Sequence, residues 1–151
     1  MSSFAGKCVV VTGAASGFGK AMSEKFAAAG ASVVVADING QGAKAVAAEL
    51  PDAISFQLDV SSEEQNRALI EETVEAFGKI DVFCANAGIP HRAKMMVKQD
   101  LEEFDSMWAI NVRSIFLAAK YCVPHMPEGS SIVNTSSIGA KRPRPGLAAY
   151  Y

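Results

Sequence analysis

Short apolar runs alternate along the chain with longer segments in which apolar residues recur at helical spacing. The apolar runs are rich in valine and isoleucine and cover residues 7–12, 32–37, 53–58, 80–86 and 131–136. Because they are continuous, without strict apolar–polar alternation, they fit strands that are covered on both faces, as in a parallel sheet. We therefore predict five buried parallel strands.

Four helices are predicted in the intervals between these strands. The first begins near Phe18 and ends at Gly30, and the second covers residues 41–50 and stops at Pro51. The third opens with the capping-box spacing of residues 61–64 and ends at Gly78. One apolar face of the first helix is predicted to comprise Phe18, Met22, Phe26 and Ala29.

The fourth helix is predicted to be long and continuous. It opens at Asp100, with a spacing related to the capping box, and runs to about residue 123. Its apolar residues include Trp108 and Phe116, which belong either to the core of this chain or to a contact with a second copy.

The order of strands and helices predicts the fold. A β-α-β-α alternation is typical of an α/β domain with a right-handed, doubly wound parallel sheet of the Rossmann type. We expect one such domain over residues 1–151, with the strands in the order 3-2-1-4-5.

Composition and charge exclude several classes of function. Half of the 151 residues are hydrophobic and the net charge is −2, so the chain has material for a core and no sign of a nucleic-acid partner. No apolar run reaches the length of a membrane span, and the first seven residues are too polar for a signal peptide. Cys8, Cys84 and Cys122 lie in apolar segments, which predicts reduced thiols, a cytoplasmic protein and no metal site.

A glycine-rich turn follows the first strand and precedes the first helix. Its sequence from Thr12 places Gly13, Ser16, Gly17, Phe18 and Gly19 where a backbone can turn sharply and approach a diphosphate. The spacing G-x-x-x-G-x-G differs from the fingerprint G-x-G-x-x-G. The glycines either bind a dinucleotide or serve only tight packing, and the position between strand and helix favours binding.

Asp37 ends the second strand, 18 positions after Gly19. A carboxylate near this offset can accept hydrogen bonds from both hydroxyls of an adenosine ribose, whereas a 2′-phosphate would meet a like charge. Neither Ile38 nor Asn39 offers the cation that a 2′-phosphate requires. The pattern favours NAD over NADP; the alternative is an aspartate that only caps the next helix.

Together these motifs resemble the short-chain dehydrogenase/reductase family over the whole length of the chain. The glycine turn is similar to the family motif T-G-x-x-x-G-x-G, with Phe18 where an aliphatic residue is usual. The resemblance implies that Asp59-Val60 contacts adenine, although this pair could simply precede a cap at Ser61. Asn86-Ala87-Gly88 is similar to the family element beside the adenosine ribose, with a partly scaffolding role for Asn86; alone it could be a turn.

The resemblance also implies a catalytic set. Tyr150 follows Ser137 by 13 positions, the interval between the catalytic serine and tyrosine of the family. Asn111 is similar to the family's helix asparagine, which takes part in a proton relay. Taken singly, the serine could only end a strand, the tyrosine only pack, and the asparagine only satisfy a backbone group. In register with the cofactor motifs, a catalytic role is favoured.

The chain departs from the family pattern at its end. The family carries a lysine four positions after its tyrosine, and this lysine activates the tyrosine, whereas the sequence ends at Tyr151. The helix with the lysine and the last strands of the family are likewise absent. We therefore expect the N-terminal part of a longer polypeptide, and we expect the isolated 151-residue chain to bind cofactor weakly and to have no turnover.

The predicted function is NAD-dependent hydride transfer between a secondary alcohol and its ketone. The alternatives are a 3-oxoacyl-carrier-protein reductase and a non-catalytic dinucleotide-binding module. The resemblance implies a homodimer or homotetramer that pairs the long helix and the helix of residues 62–77. Two basic segments, either solvated loops or contacts for an acidic substrate, contain His91, Arg92 and Lys94 and then Lys141, Arg142 and Arg144.

Overall fold

The computed structural model describes residues 3–150, and Met1, Ser2 and Tyr151 lie outside the described residues. Its centre is a five-stranded parallel sheet in the order β3-β2-β1-β4-β5, which confirms the predicted Rossmann-type topology. The strands are β1 (Cys8–Thr12), β2 (Ser32–Asp37), β3 (Ala53–Gln57), β4 (Val82–Ala85) and β5 (Ser131–Asn134).

Two of the strands, β4 and β5, are shorter than their apolar runs by two residues or more. In β4 the pairing begins at Val82, because the amide of Ile80 donates to the carbonyl of His125 and only the next residues join the sheet. β5 ends at Asn134, two residues before the end of the predicted run. Ser136 and Ser137 are thereby released from the sheet into a loop.

Three helices follow the first three strands along the chain. They are α1 (Gly17–Ala28), α2 (Gly40–Ala48) and α3 (Glu63–Phe77). The predicted apolar face of α1 is wrong at Phe18, because this side chain lies in the first turn, beside the glycine turn, and is 83% exposed. Met22 and Phe26 pack against the core as predicted.

The cap of α3 differs from the prediction by one residue. The Ser62 hydroxyl, and not that of Ser61, accepts a hydrogen bond from the amide of Gln65. Ser61 is engaged elsewhere, since both its amide and its hydroxyl donate to the carboxylate of Asp59. The predicted end at Gly78 is confirmed, with φ of +77° at that residue.

The predicted long helix is interrupted. It consists of α4 (Leu101–Trp108), a π-helical turn (Ala109–Arg113) and α5 (Ser114–Cys122). Asp100 precedes α4 but does not cap it with its side chain, because its carboxylate binds the ammonium group of Lys94. A single π-helical turn inside a helix is frequent at functional sites.

Alternate residues of the central strands point to opposite faces of the sheet, and each face has its own core. Val9, Val11 and their neighbours on β2 pack under α1 and α2, whereas Val10, Val34 and Phe83 pack under α3 and α5. A layer of helices is needed on each face of the sheet, because the strands are apolar on both sides. The predicted core cysteines are confirmed: burial raises the pKa of the Cys8 thiol to about 12 and those of Cys84 and Cys122 to about 11.

A buried carboxylate ties the strands together at their amino ends. Asp81 is only 3% exposed, and it accepts hydrogen bonds from the amide of Cys8 at 2.9 Å and from the ammonium group of Lys7 at 2.8 Å. Lys79 lies 3.1 Å away. Burial alone would raise the pKa of Asp81, but the hydrogen bonds from Lys7, Cys8 and Lys79 together lower it below its ordinary value.

We expect Asp81→Asn to lower the free energy of unfolding at pH 7 by about 2 kcal/mol. The expected loss is smaller than for a fully buried ion pair, because Lys7 and Lys79 are half-exposed and water can solvate their ammonium groups when the carboxylate is removed. A carboxyl group whose pKa is lowered by folding stabilises the folded state at pH values above its unfolded pKa. This stabilisation is lost as the pH falls through its folded pKa. Urea denaturation should show the full deficit at pH 7 and a progressively smaller one as the pH falls below 3.8, the ordinary pKa of the carboxyl; a deficit independent of pH would contradict the charge assignment.

No helix within residues 3–150 is long and apolar enough to cross a bilayer. The same residues contain no cluster of histidine, cysteine, aspartate and glutamate with the arrangement of a metal site.

Candidate active site

Two adjoining clefts open at the carboxyl ends of the strands, where ligands bind in doubly wound sheets. The larger has a volume of about 610 Å³ and the smaller about 270 Å³. Both are lined by Ser16 and by residues 86–89, so they form one continuous groove on either side of the end of β4. An elongated ligand fits this shape better than a compact one.

The glycine turn lies between the two clefts, and its glycines have different tasks. Gly13 has φ of +66°, and a Cβ there would come within 2.9 Å of the Cα of Ala87. A Cβ on Gly19 would lie 2.0 Å from the carbonyl oxygen of Gly13. These two positions require glycine for packing, as the alternative interpretation of the motif holds.

Gly17 is different, because its φ is +54° and a Cβ there would meet no atom within 4 Å. It is the first residue of α1, and the side chain of Ser16, the residue before it, does not cap the helix. The amide groups of the first turn therefore face open space at the positive end of the helix dipole, which is where an anionic group binds. Packing at Gly13 and Gly19 fixes the shape of this turn.

Asp37 lies at the smaller cleft and holds the turn in place. Its carboxylate accepts hydrogen bonds from the amides of Ala15 and Asn39, both at 2.9 Å. The cap of α2 is Asn39, whose side chain accepts from the amide of Gly42, so the interpretation of Asp37 as the helix cap is wrong. Ile38 beside it is 69% exposed and, like Asp37, lines the cleft.

The opposite wall of the smaller cleft is the Asp59-Val60 turn. Sequence reasoning missed two residues of α3 that fix it: the Gln65 side chain accepts from the amide of Asp59 at 2.7 Å, and the buried Asn66 amide donates to the carbonyls of Val60 and Ser62. The signal in the sequence was the amide of Asn66 on the face of α3 that carries Leu69 and Ile70. The carboxylate of Asp59 is itself engaged by Ser61.

Asn86 joins β1, β4 and β5 at the floor of the groove. Its amide donates to the hydroxyl of Thr12 at 3.0 Å, and its side-chain amide donates to the carbonyl of Thr12 at 3.0 Å. Its side-chain oxygen accepts from the hydroxyl of Thr135. Ala87 donates to the same Thr12 hydroxyl. The arrangement agrees with a scaffolding role for Asn86, and residues 86–88 are therefore more than a turn.

Asn111 lies in the π-helical turn and is locked to the loop after β4. Its side-chain oxygen accepts from the amide of Ile89 at 2.8 Å, and its side-chain nitrogen donates to the carbonyl of Ile89 at 3.0 Å. A Cβ on Gly88 would approach the Asn111 oxygen to 3.1 Å. Since both polar atoms of the side chain are engaged, Asn111 positions the wall of the larger cleft.

Ser137 and Tyr150 face the same cleft from the segment after β5. The Ser137 hydroxyl accepts a hydrogen bond from the amide of Gly139 at 3.2 Å, and Ala140 at the end of this short helical turn also lines the cleft. Tyr150 is brought back by a bond from its amide to the carbonyl of Leu147. The larger cleft thus combines Ser137, Tyr150 and other hydroxyl-bearing residues with an apolar wall, whereas the smaller one carries the carboxylates.

Comparison with known proteins gives concordant matches. The family model of the short chain dehydrogenases matches residues 7–151. The chain is 42% identical over 142 residues to a 2,5-dichloro-2,5-cyclohexadiene-1,4-diol dehydrogenase of Sphingobium indicum, which covers 91% of this chain and 57% of that protein. It is 34% identical to the 3-oxoacyl-[acyl-carrier-protein] reductase of Thermotoga maritima, over 96% of this chain and 61% of that protein.

Among solved structures, a 3-ketoacyl-(acyl-carrier-protein) reductase from Brucella melitensis complexed with NADH superposes with a TM-score of 0.93 at 40% identity. The match covers 98% of this chain and 64% of that one. The chain thus spans less than two thirds of the length of these relatives.

Proposed function

Because the chain belongs to the short-chain dehydrogenase/reductase family, we propose that it is an oxidoreductase that interconverts a secondary alcohol and its ketone with a nicotinamide dinucleotide. The observation that carries the proposal is the shared cleft: Ser137 and Tyr150 line the same cavity as the glycine turn and residues 86–89. The test is NAD-dependent oxidation of secondary alcohols, followed by the absorbance of NADH.

The hydroxyl groups of Tyr150 and Ser137 have different roles in the proposed reaction. A bound nicotinamide supplies the hydride acceptor or donor. Tyr150 acts as the acid or base that takes or gives the hydroxyl proton of the substrate. Ser137 donates a hydrogen bond to the substrate oxygen and stabilises the charge that develops there. Asn111 supports this pair by holding Ile89, and with it the wall of the cleft.

We place the diphosphate at the glycine turn, against residues 13–19, and the adenosine in the smaller cleft. There Asp37 receives the ribose hydroxyls, Ile38 and Val60 flank the adenine, and Asp59 with residues 86–88 completes the walls. The preferred cofactor is NAD. Neither Ile38 nor Asn39 carries a positive charge, and a 2′-phosphate beside the Asp37 carboxylate would be repelled.

We expect Asp37→Ala to weaken NAD binding about tenfold, through the loss of the ribose hydrogen bonds, while NADP binding stays equal or improves. Calorimetric titration with both dinucleotides measures the ratio of the two dissociation constants. The ratio matters because Asp37 also holds the amide of Ala15. A purely structural effect would weaken both dinucleotides equally and would contradict the ribose assignment.

The matched control is Asp52→Ala. Asp52 is an exposed carboxylate that accepts from the hydroxyl of Ser32, at the amino end of β2 and thus away from the clefts. Its replacement should leave the NAD and NADP affinities unchanged.

A 3-oxoacyl-carrier-protein reductase is the second candidate, and the superposition on the Brucella melitensis enzyme favours it. The 42% identity to the diol dehydrogenase of Sphingobium indicum favours a dehydrogenase, whereas the cofactor does not separate the two candidates, because the Brucella melitensis enzyme is complexed with NADH. The non-catalytic module is disfavoured by Ser137 and Tyr150 in one cleft. The absence of turnover in the 151-residue chain and its cytoplasmic location stay predictions.

We also propose a homodimer or homotetramer. Trp108 and Phe116 are 57% and 65% exposed, so neither belongs to the core of residues 3–150. They extend along α4 and α5 with Phe104 and Val112, which are also exposed. Such a contiguous apolar stripe is typical of a contact between subunits. Sedimentation of the native protein measures the number of subunits.

A further inference from the structure

The two basic segments beside the larger cleft do not use their charges in the same way. Lys94 is neutralised within the chain, with its ammonium group 2.6 Å from Asp100 and 2.8 Å from Glu103. His91 is bound through its Nε2 atom to the side chain of Gln99 at 2.8 Å. The remaining cations are exposed and have no carboxylate partner among residues 3–150: they are Arg92, Lys141, Arg142 and Arg144.

These four cations lie in two segments whose neighbouring residues line the larger cleft, although none of the four is itself a lining residue. Arg92 follows Pro90, which lines the cleft, and precedes Lys94, whose amide donates to the carbonyl of Gly146 at 2.7 Å. The other three follow Ala140 and precede Tyr150, which both line the cleft. The Lys94–Gly146 bond joins the two segments, so both border the same opening.

Few negative charges oppose them. No side chain that lines the larger cleft carries a formal charge, and the carboxylates of Asp37 and Asp59 belong to the smaller cleft. Residues 129–150, which include three of the four cations, contain no aspartate or glutamate. Asp100 and Glu103 share the single positive charge of Lys94, so this cluster keeps one net negative charge against the four cations. The mouth of the larger cleft is therefore positive, and low-dielectric walls concentrate such a field on an entering ligand.

We infer that the substrate of this cleft is an anion, of the class of hydroxy or oxo carboxylic acids. The reacting carbon lies at Ser137 and Tyr150, an apolar segment passes Ile89, Val112 and Ile115, and the carboxylate meets the free cations at the mouth. The inference rests on the proposed oxidoreductase function and adds the charge of the substrate to it.

The test compares 3-hydroxy acids of four to eight carbons with the corresponding 3-hydroxy amides, using NAD and the native protein. Acid and amide have nearly the same shape and the same carbinol, and differ by one charge. We expect kcat/KM to be at least tenfold higher for the acids at low ionic strength. Increasing NaCl should lower kcat/KM for the acids and leave the amides unaffected, because salt screens exposed charges.

The variant is the double substitution Arg92→Gln and Arg144→Gln, which removes one cation from each segment. The double variant should lower the ratio of kcat/KM for the acids to kcat/KM for the amides about tenfold. The matched control is Lys44→Gln, on α2, which removes an exposed cation that does not border the larger cleft and should leave the ratio unchanged.

The outcomes separate this inference from the function on which it rests. If amides react as well as acids, or if the ratio is the same in the double variant, the anionic substrate is overturned and the oxidoreductase remains. If neither series reduces NAD, and the corresponding oxo compounds do not oxidise NADH, the proposed function fails and the inference with it.

Discussion

Replacing Gly19 by alanine is expected to abolish measurable NAD binding and to lower the free energy of unfolding by about 3 kcal/mol. The added Cβ would lie 2.0 Å from the carbonyl oxygen of Gly13 and 2.8 Å from the Cα of Ala14. All the obstructing atoms belong to the backbone, so no side chain can rotate away. Either α1 moves off the sheet or the turn changes shape, and both changes destroy the site for the diphosphate.

Gly78→Ala is the matched control for this substitution. Gly78 has a positive φ of +77°, but a Cβ there would meet no atom within 4 Å, and the residue lies at the end of α3. We expect it to cost about 1 kcal/mol of conformational strain and to leave NAD affinity unchanged. Thermal unfolding and calorimetry of both variants measure the contrast. A Gly19→Ala protein that binds NAD normally would show that the turn does not approach the helix as described.

The topology could be predicted because burial controls it locally. A strand that is apolar at every position, such as β1, must be covered on both faces, and only a sheet with helices on both sides does this. The observed cores on the two sides of Val9 and Val10 follow directly from that pattern. The topological prediction needed no knowledge of tertiary contacts.

Helix caps could not be predicted in the same way, because other groups in the fold compete for the hydrogen bonds of the capping side chains. Asp100 has the right position for a helix cap, yet Lys94 takes its carboxylate. Ser61 and Ser62 are equivalent in sequence, and Asp59 decides between them by engaging Ser61. The π-helical turn at Ala109–Arg113 was not predicted, because the segments before and after it each have ordinary helical spacing and read as one helix.

The site was predictable where its residues lie at the ends of strands. Asp37, Asn86 and Ser137 come together because parallel strands deliver their carboxyl ends to one edge. The supporting residues Gln65 and Asn66 lie within a helix, and their targets are backbone groups of a turn. Such contacts are not visible in a sequence, although they determine how rigidly the wall of the smaller cleft is held.

Replacing Tyr150 by phenylalanine is expected to lower both kcat and kcat/KM for alcohol oxidation about 10³-fold, since the variant removes the group that accepts the substrate proton. NAD affinity should be unchanged, because Tyr150 lines only the larger cleft and the dinucleotide is held chiefly by the glycine turn and Asp37. Steady-state kinetics of the native protein and calorimetry with NAD separate the two effects. A parallel loss of NAD affinity would indicate that Tyr150 shapes the cleft and has no part in the proton transfer.

Tyr121→Phe is the matched control, because it removes the same hydroxyl group at a distance from the cleft. The Tyr121 hydroxyl donates to the carboxylate of Glu63 at 2.6 Å, where α5 packs on α3. Its loss should leave kcat unchanged. If the two phenylalanine variants retain equal activity, the acid or base is another group. Ser137, which lines the same cleft, would then be the first to test, with Ser137→Ala expected to reduce kcat far more than the 10²-fold or so typical of a lost stabilising hydrogen bond.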